Sequence, residues 1–365
     1  MGGESVYIGM RYFFLYAKVL AFAAIFALGA SCTCVFGDAP EDPEPLRVTF
    51  IDVGQGLAVL LDYGGRYAMY DMGPDSAGVM DTLAARGVDT LEWVLLSHNH
   101  RDHAGGFMEL AGRGGGSGFA RVEGSLSQVE SLSRVEGRLS RAGTAPRVYV
   151  RRLYVGPDTS GGFIRDSVLG LARGFGIPVD TLVRGDAFGL FSGCGSIAGG
   201  DCADDGEDRG QFSGSGDALG LFSGSGNAPR FDVLWPPDYV REGGNPASVV
   251  VRVELGAASM LLTGDLDTAG ERRLLELSPT LSADLLQVPH HGSAGSSSLR
   301  FIAQVAPGYA VASVGAGNAY GHPREDVVRK YAYVLGDTAR FFRTDLQGSV
   351  GFEMWPDIGV VVGSD

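Results

Sequence analysis

The chain has 365 residues, 45% of them apolar, and a formal net charge of −14 at neutral pH. That apolar content excludes a wholly disordered chain and suffices for one large domain or two small ones. The 43 carboxylates outnumber 29 Lys and Arg, and Lys330 is the sole lysine after Lys18. Such a balance opposes non-specific attachment to nucleic acid, which rests on neutralising phosphates with basic side chains.

Residues 1–36 differ from the rest. Arg11 and Lys18 punctuate an apolar opening, and Val19 to Ala30 runs apolar before Ser31, Cys32, Thr33 and Cys34. A basic start, an apolar run and small residues predict an export signal. The whole stretch from about Tyr12 to Ala30 also has the length of a retained membrane anchor, and LGASC resembles an imperfect lipoprotein box that would leave Cys32 lipidated. All three readings predict an exported domain on the periplasmic or extracellular face, attached to the membrane through the segment or its lipid in two of them. The acidic, proline-rich residues 37–45 read as a linker, and the folded part is expected over 46–365.

The first elements are strands. VTFIDVGQG predicts a strand of about five residues meeting a tight turn, LAVLLDYG and RYAMYDMG follow as a hairpin turned at Gly64 and Gly65, and Val79 to Ala85 has helical periodicity. LEWVLLSHNH is a continuous apolar run that predicts a buried strand with histidines at its C-terminal end. Residues of about 111–147 and 190–226 look inserted. RVEGSLS at 121–127 returns as RVEGRLS at 134–140, and GDAFGLFSGCGS at 185–196 returns as GDALGLFSGSGN at 216–227. Within the second insertion Cys194 and Cys202 either close a small disulfide loop or remain free thiols.

Order returns at FDVLWPP, a strand stopped by prolines. SVVVRVELG and ASMLLTGD predict a strand pair ending at Asp265, Glu271 to Leu277 a helix, and ADLLQVPHHG and YAVASVG two strands. REDVVRKYAYVLG predicts a helix prepared by Pro323, and ARFFRTD and SVGFEMW the final strands. Strands outnumber helices, so the fold class expected is α+β, an αββα sandwich of two mixed sheets.

All six histidines fall in three short motifs: His98, His100 and His103 in SHNHRDHAGG, His290 and His291 in PHHGS, and His322 in YGHP. Asp102 lies inside the first, and imidazole with carboxylate is the ligand set of zinc or a mixed divalent site. The spacing H-x-H-x-D-H on a turn after a strand lets His98 and His100 reach one metal while Asp102 and His103 turn to a second. Asp265 ends an apolar strand in a glycine-flanked turn and is the candidate bridging carboxylate, with a helix cap as the plainer reading. In PHHGS, His291 is favoured as closest to the chemistry, as a ligand or a hydrogen-bond partner of the scissile group, and His290 as its support. Ser293, Ser296, Ser297 and Ser298 offer donors to a phosphate or cap the helix that begins near Leu299.

The first motif resembles that of the metallo-β-lactamase superfamily, whose fold is an αββα sandwich. The resemblance implies that Asp71 in YDMG orients the metal loop, although a plain turn residue would look the same, and that His322 is the last ligand of the second metal. A narrower resemblance, carried by FIDVGQGLAVLL, SHNHRDHAGG, NPASVVVRV, LLTGDLD, LLQVPHHGS and YGHP, is to the extracellular C-terminal domain of the ComEC/Rec2 competence proteins, over roughly Val48 to Phe352. No multi-helix channel region accompanies it, so DNA transport is not implied. His100 stands where competence-type sequences often have an acid, which favours a binuclear centre. The histidine expected about twenty residues before the bridging aspartate is missing; Asn245 stands near its place, to coordinate weakly or to organise the loop, with Ser248 as support.

These readings predict a hydrolase with two divalent ions, Zn2+ or Mn2+, that activate a water against a phosphodiester such as DNA. The expected metal ligands are His98, His100, Asp102, His103, Asp265 and His322, with Asp102, His291 and His290 in the chemistry. Arg101 and Arg324 are possible phosphate contacts. The alternatives are a β-lactamase or other amide or ester hydrolase, and an envelope binding module that keeps the fold without the chemistry.

Overall fold

The computed structural model describes residues 43–111, 148–158, 162–190, 228–237, 243–278 and 281–363. Among these, the chain enters one sheet with β1 (Leu46–Phe50), β2 (Ala58–Tyr63), β3 (Arg66–Met72), β4 (Thr90–Leu96), β5 (Tyr149–Val150), β6 (Leu153–Val155) and β7 (Val179–Thr181). A second sheet contains β8 (Ala187–Gly189), β9 (Arg230–Trp235), β10 (Val250–Leu255), β11 (Ala258–Leu262), β12 (Leu285–Gln287), β13 (Tyr309–Ala312) and β14 (Phe341–Arg343). The chain then returns to the first sheet with β15 (Val350–Trp355) and β16 (Gly359–Val362). The strand orders are β16-β15-β1-β2-β3-β4-β6-β7, with β5 also on β4, and β14-β13-β12-β11-β10-β9-β8. The helices are α1 (Val79–Ala85), α2 (Arg101–Ala104), α3 (Phe163–Phe175), α4 (Thr268–Leu277), α5 (Leu299–Val305), α6 (Glu325–Leu335) and α7 (Thr344–Gln347).

Period-two alternation divides the buried residues among three layers. Leu46, Val48 and Phe50 of β1, Tyr70, Trp93 and Leu95 meet Phe231, Val251, Val253, Met260 and Leu262 between the sheets. On the outer face of the first sheet, Met69, Val94 and Leu96 cluster with Val79, Leu83, Val168 and Leu171 of α1 and α3. Leu261, Leu286 and Ala310 do the same on the second sheet with Leu274, Phe301, Ile302, Val327 and Tyr331 of α4, α5 and α6. Each side chain so buried contributes about 1.5–3 kcal/mol, and the result is the expected αββα sandwich.

Strand direction places the site. β3 runs parallel to β4, and β11, β12 and β13 are mutually parallel. The C-terminal ends within each group therefore share an edge, and the residues just beyond them are Asp71 at the end of β3, Ser97 to His103 after β4, Asp265 after β11, and the histidine pair after β12. β10 is antiparallel to β11, which brings the residues preceding it, Asn245 to Val249, to that same edge. Val249 joins the two sheets there: its amide donates to Ser97 O at 2.9 Å, and its carbonyl accepts the Tyr70 hydroxyl at 2.6 Å.

The expected helix over 79–85 is observed as α1, and α4 starts three residues before its expected position because the Asp267 carboxylate caps it by accepting the Gly270 amide at 2.7 Å. The strands β5 to β7 and helix α3 are not among the elements expected from the sequence. The first copy of the longer repeat supplies β8, whose partner is β9. Most of both proposed insertions, the shorter repeat, Cys194 and Cys202 lie outside the described residues.

The signal, lipoprotein and membrane assignments, and the envelope location and membrane partner built on them, are corrected. A spanning helix needs about twenty apolar residues. The longest described helix, α3, has 13 residues, and no helix among the described residues is long and apolar enough to cross a membrane. Residues 1–36, on which those assignments rested, lie outside the described residues.

Candidate metal centre

On the side of the first sheet, one carboxylate organises the histidine loop. Asp71 ends β3 fully buried at φ 58°. One of its oxygens accepts the Ser97 amide at 2.6 Å, and the other accepts the Ser97 hydroxyl and faces His103 Nδ1, both at 2.7 Å. The Ser97 hydroxyl, its proton given to Asp71, stands 3.0 Å from His98 Nδ1 as an acceptor. Both buried imidazoles are thereby set with Nδ1 protonated and Nε2 turned inward. The glycines of the motif allow the loop to close. A Cβ on Gly106 would lie 2.1 Å from Met72 O, and one on Gly105 2.7 Å from the Asp75 amide.

On the side of the second sheet, the groups come from separate loops. The Ser248 hydroxyl accepts the Asp265 amide at 3.2 Å. Gln287, buried, accepts the Thr263 amide at 2.7 Å and donates to Gly264 O at 3.2 Å and Val288 O at 2.7 Å, tying the Asp265 turn to the strand that carries the histidine pair. His290 and His291 then both take left-handed backbone, at φ 51° and 55°. His291 is buried, and its Nδ1 donates to Ser313 O at 2.7 Å, so it too presents Nε2.

These parts converge in two groups that share Asp265. Asp102, His103, Asp265 and His291 form one, and His98, His100 and Asp265 the other, each with its ligand atoms within 4.8 Å of one another. In the first, His103 Nε2 lies 3.1 Å from His291 Nε2 and 3.0 Å from Asp265 Oδ1, and His291 Nε2 is 3.4 Å from Asp102 Oδ2. In the second, His98 Nε2 is 3.8 Å from Asp265 Oδ2. Two inward Nε2 lone pairs at hydrogen-bond distance cannot satisfy each other, whereas a cation between them satisfies both. The buried side-chain atoms with no hydrogen-bond partner among the described residues are, Trp93 Nε1 apart, His98 Nε2, Asp265 Oδ1, Asn245 Oδ1 and His322 Nδ1. Orphans of that kind cost about 1–3 kcal/mol each, and two of them, His98 Nε2 and Asp265 Oδ1, lie in the two groups, so the donor set fits two divalent ions.

Comparison with known proteins agrees. The signature described as Metallo-beta-lactamase superfamily matches residues 51–173 and 223–316, more than half of the chain. This chain belongs to that superfamily. It is 30% identical to the Competence protein ComA of Neisseria gonorrhoeae over 84% of its own length and 32% of that protein. It is 35% identical to the ComE operon protein 3 of Bacillus subtilis over 36% of its length and 16% of that protein. The chain thus spans a third or less of the length of these two relatives. Among solved structures it is similar to the metallo-beta-lactamase fold protein YhfI from Bacillus subtilis, at 11% identity and a TM-score of 0.40, over 82% of this chain and 95% of that one. With two candidate ligand groups that share Asp265, this member of the metallo-beta-lactamase superfamily is a binuclear metal-dependent hydrolase.

Charge in the metal-free centre is balanced by protons. Burial alone would lower the imidazole of His103, but Asp265 and Asp71 outweigh it and hold the group well above the ordinary range. His291 is likewise raised against its burial, by Asp265 and Asp102. Burial would raise both carboxylates, yet His103 and His291 keep Asp265 well below the ordinary range, and His291 and His103 do so for Asp102. His98 is lowered, first by burial and then by the charge on His103, and stands neutral as a ligand must.

The structure distributes the expected residues unevenly. His98, His100, Asp102, His103 and Asp265 come together as the spacing suggested, and His291 joins them in the place expected of His322. The His322 backbone is held elsewhere by Asn318, whose amide accepts His322 N at 3.0 Å and donates to His322 O at 2.7 Å. Its ring stands 6.0 Å from that of His290 and belongs to neither group. His290 Nε2 is 3.6 Å from Asp265 Oδ2 and receives the Asn245 amide at 3.1 Å. Ser298 caps α5, Ser296 bonds Pro289 O, and the Ser297 and Ser298 amides bond Glu271, so these serines serve the loop. Arg101 is occupied by Asp75 through two bonds of 2.6 Å. Sequence reasoning missed Ser97, Gln287, Ser313 and Asp158. Asp158, buried, accepts the Asn99 amide at 2.8 Å and steadies the loop of His100; its position just after a short strand was the available signal.

Proposed function

We propose that this hydrolase is a phosphodiesterase acting on DNA, akin to the extracellular C-terminal domain of the ComEC/Rec2 competence proteins. The observation that carries the reading is the pair of ligand groups on Asp265. Two divalent ions bound side by side supply an activated water and Lewis acidity for both oxygens of an in-line displacement at phosphorus, without a serine or cysteine nucleophile. The motifs shared with competence proteins and the 30% identity to one of them support the nucleic-acid substrate.

The chain's own residues divide the remaining work. His98, His100 and Asp265 would hold one ion, and Asp102, His103, Asp265 and His291 the other. His103, His98 and His291 are fixed in orientation by Asp71, Ser97 and Ser313, so ligand geometry is set before substrate arrives. His290 approaches the same Asp265 oxygen as His98 but is only partly covered. Burial lowers it, so near neutral pH it is uncharged and offers an N–H to a phosphate oxygen rather than a proton to the leaving group. Asn245 orients that ring, and its buried amide oxygen has no hydrogen-bond partner among the described residues.

The test uses the full chain loaded with Mn2+ or with Zn2+, supplied with bis-p-nitrophenyl phosphate, linear DNA and single-stranded DNA. Cleavage is expected with at least one metal and is abolished in H98A and D265A. Hydrolysis of a β-lactam with no action on any phosphodiester would overturn the reading in favour of an amide hydrolase, and a chain that takes up no metal under replete conditions would favour a binding module.

A further inference from the structure

Beyond the ligands, contacts run in a line along the outer side of the His98 group. Gly244 abuts His100 so closely that a Cβ there would lie 2.9 Å from the ring nitrogen, and its neighbour Asn245 meets His290. The His290 ring is set edge-on to His322 at 6.0 Å, and His322 lies over Tyr320 at 5.7 Å and 24°. The line ends at Tyr320, a ring 66% exposed. Its loop is not slack, because Asn318 clamps the backbone two residues on. Beside it Arg324 is exposed and forms no ion pair among the described residues, and the acids that follow are occupied, Glu325 by Arg329 at 2.8 Å and Asp326 by Lys330 at 3.5 Å. At the other end of the line a cavity of about 300 Å³ opens next to His100, lined by Asn99, Asp158, Gly244 and Phe163, the last 62% exposed.

Tyr320, Arg324 and Phe163 belong to neither ligand group, and the contacts that pass His100 and His290 link an exposed ring at one end to an exposed ring at the other. That arrangement answers a difficulty in the composition. A chain with a net charge of −14 and one lysine beyond Lys18 has little to offer the phosphates of a duplex. The faces of bases are the other handle on a nucleic acid, they bind aromatic rings irrespective of sequence, and they are available only where bases are unpaired.

We propose that Tyr320 is a stacking platform for an unpaired nucleobase, with Arg324 on the adjoining phosphate and the cavity beside His100 for the neighbouring base. The enzyme then acts on single strands or frayed ends in preference to duplex. This rests on the phosphodiesterase reading above and gives it a specificity-determining residue. Tyr320 touches the substrate away from the reacting atoms, so its contribution falls on binding.

The experiment uses the full Mn2+-loaded chain with four substrates: a single-stranded oligonucleotide, its duplex, the same strand with abasic positions beside the cleaved bond, and bis-p-nitrophenyl phosphate. Y320A is expected to raise KM for the single strand by roughly 5- to 150-fold with kcat nearly kept, and Y320F to restore it, because the stacking face and not the hydroxyl is used. Abasic positions should weaken binding by the unmodified chain and leave Y320A little further affected. Unchanged KM in Y320A, or duplex cleaved as readily as single strand, overturns the proposal while bis-p-nitrophenyl phosphate turnover keeps the parent reading intact. A chain inert toward all four substrates removes both.

Discussion

The two sides of the metal centre are built on different plans. On the first sheet every ligand lies between His98 and His103, and a single carboxylate, Asp71, holds Ser97 by two bonds and His103 by a third. On the second sheet Asp265 and His291 arrive from separate loops, and their places depend on Ser248, Gln287 and Ser313, which are distant in sequence from the groups they steady. One half is encoded in a short segment and braced locally. The other exists only when β11, β12 and β13 lie side by side.

The sharpest test of the centre is at the residue both ligand groups share. D265N removes the bridging charge from both groups, and hydrolysis is expected to fall on the order of a thousand-fold or more, with metal content by mass spectrometry dropping from two ions to one at most. Retention of both ions would break the description of Asp265 as a bridge. Next, D71N withdraws the brace from the local half, which gives candidate ligands to both groups; affinity for both ions should fall about 10- to 100-fold in competition with a chelator, and a loss confined to one ion would show that Asp71 steadies only one of the two histidines it reaches.

Acidity gives a third, intermediate effect. His103 and His291 are raised in the metal-free protein, so a metal must displace their protons, and affinity should rise by up to about tenfold per pH unit for each proton displaced. The same groups make a sign prediction for the metal-free fold. Their contribution to stability is complete below the ordinary imidazole value of about 6.5 and is lost as pH rises through their raised values, while Asp102 and Asp265, held low, lose theirs only when pH falls below the usual carboxylate range. Thermal melts with and without metal should therefore diverge as pH increases from 6 to 9. The smallest effect belongs to S248A, which removes one hydrogen bond from the Asp265 turn and should cost about 1 kcal/mol of stability, with affinity lowered only a few-fold; a collapse of activity would mean that the assembled half hangs on that single hydroxyl.

The same contrast explains what could be read in the sequence. The αββα order and the local half were legible because alternation marks β1 and β10, a continuous apolar run marks β4, and four candidate ligands, His98, His100, Asp102 and His103, crowd into the turn after it. The assembled half was legible only where a residue type announced itself. Asp265 and His291 stood out, but whether His291 or His322 completes the Asp102 group is decided by Asn318 and Ser313, which hold one backbone away and give the other ring its acceptor. Gln287 sits in an apolar strand, where nothing in the sequence distinguishes a clamp from an ordinary interior amide. The strands β5, β6 and β7 have three residues or fewer, too short for a period to declare itself.

The left-handed backbone at the site has a consequence for how this protein tolerates change. Of the five non-glycine residues with positive φ among those described, Asp71, His290 and His291 are three. Each holds a conformation that costs about 1–3 kcal/mol and that glycine adopts freely. Glycine at Asp71 or His291 would also strip buried hydrogen bonds from Ser97 and Ser313, so the backbone cost is recoverable by glycine chiefly at His290. A library screened for melting temperature should therefore drift at 290 and keep 71 and 291, whereas one screened for turnover should keep all three and recover stability far from them.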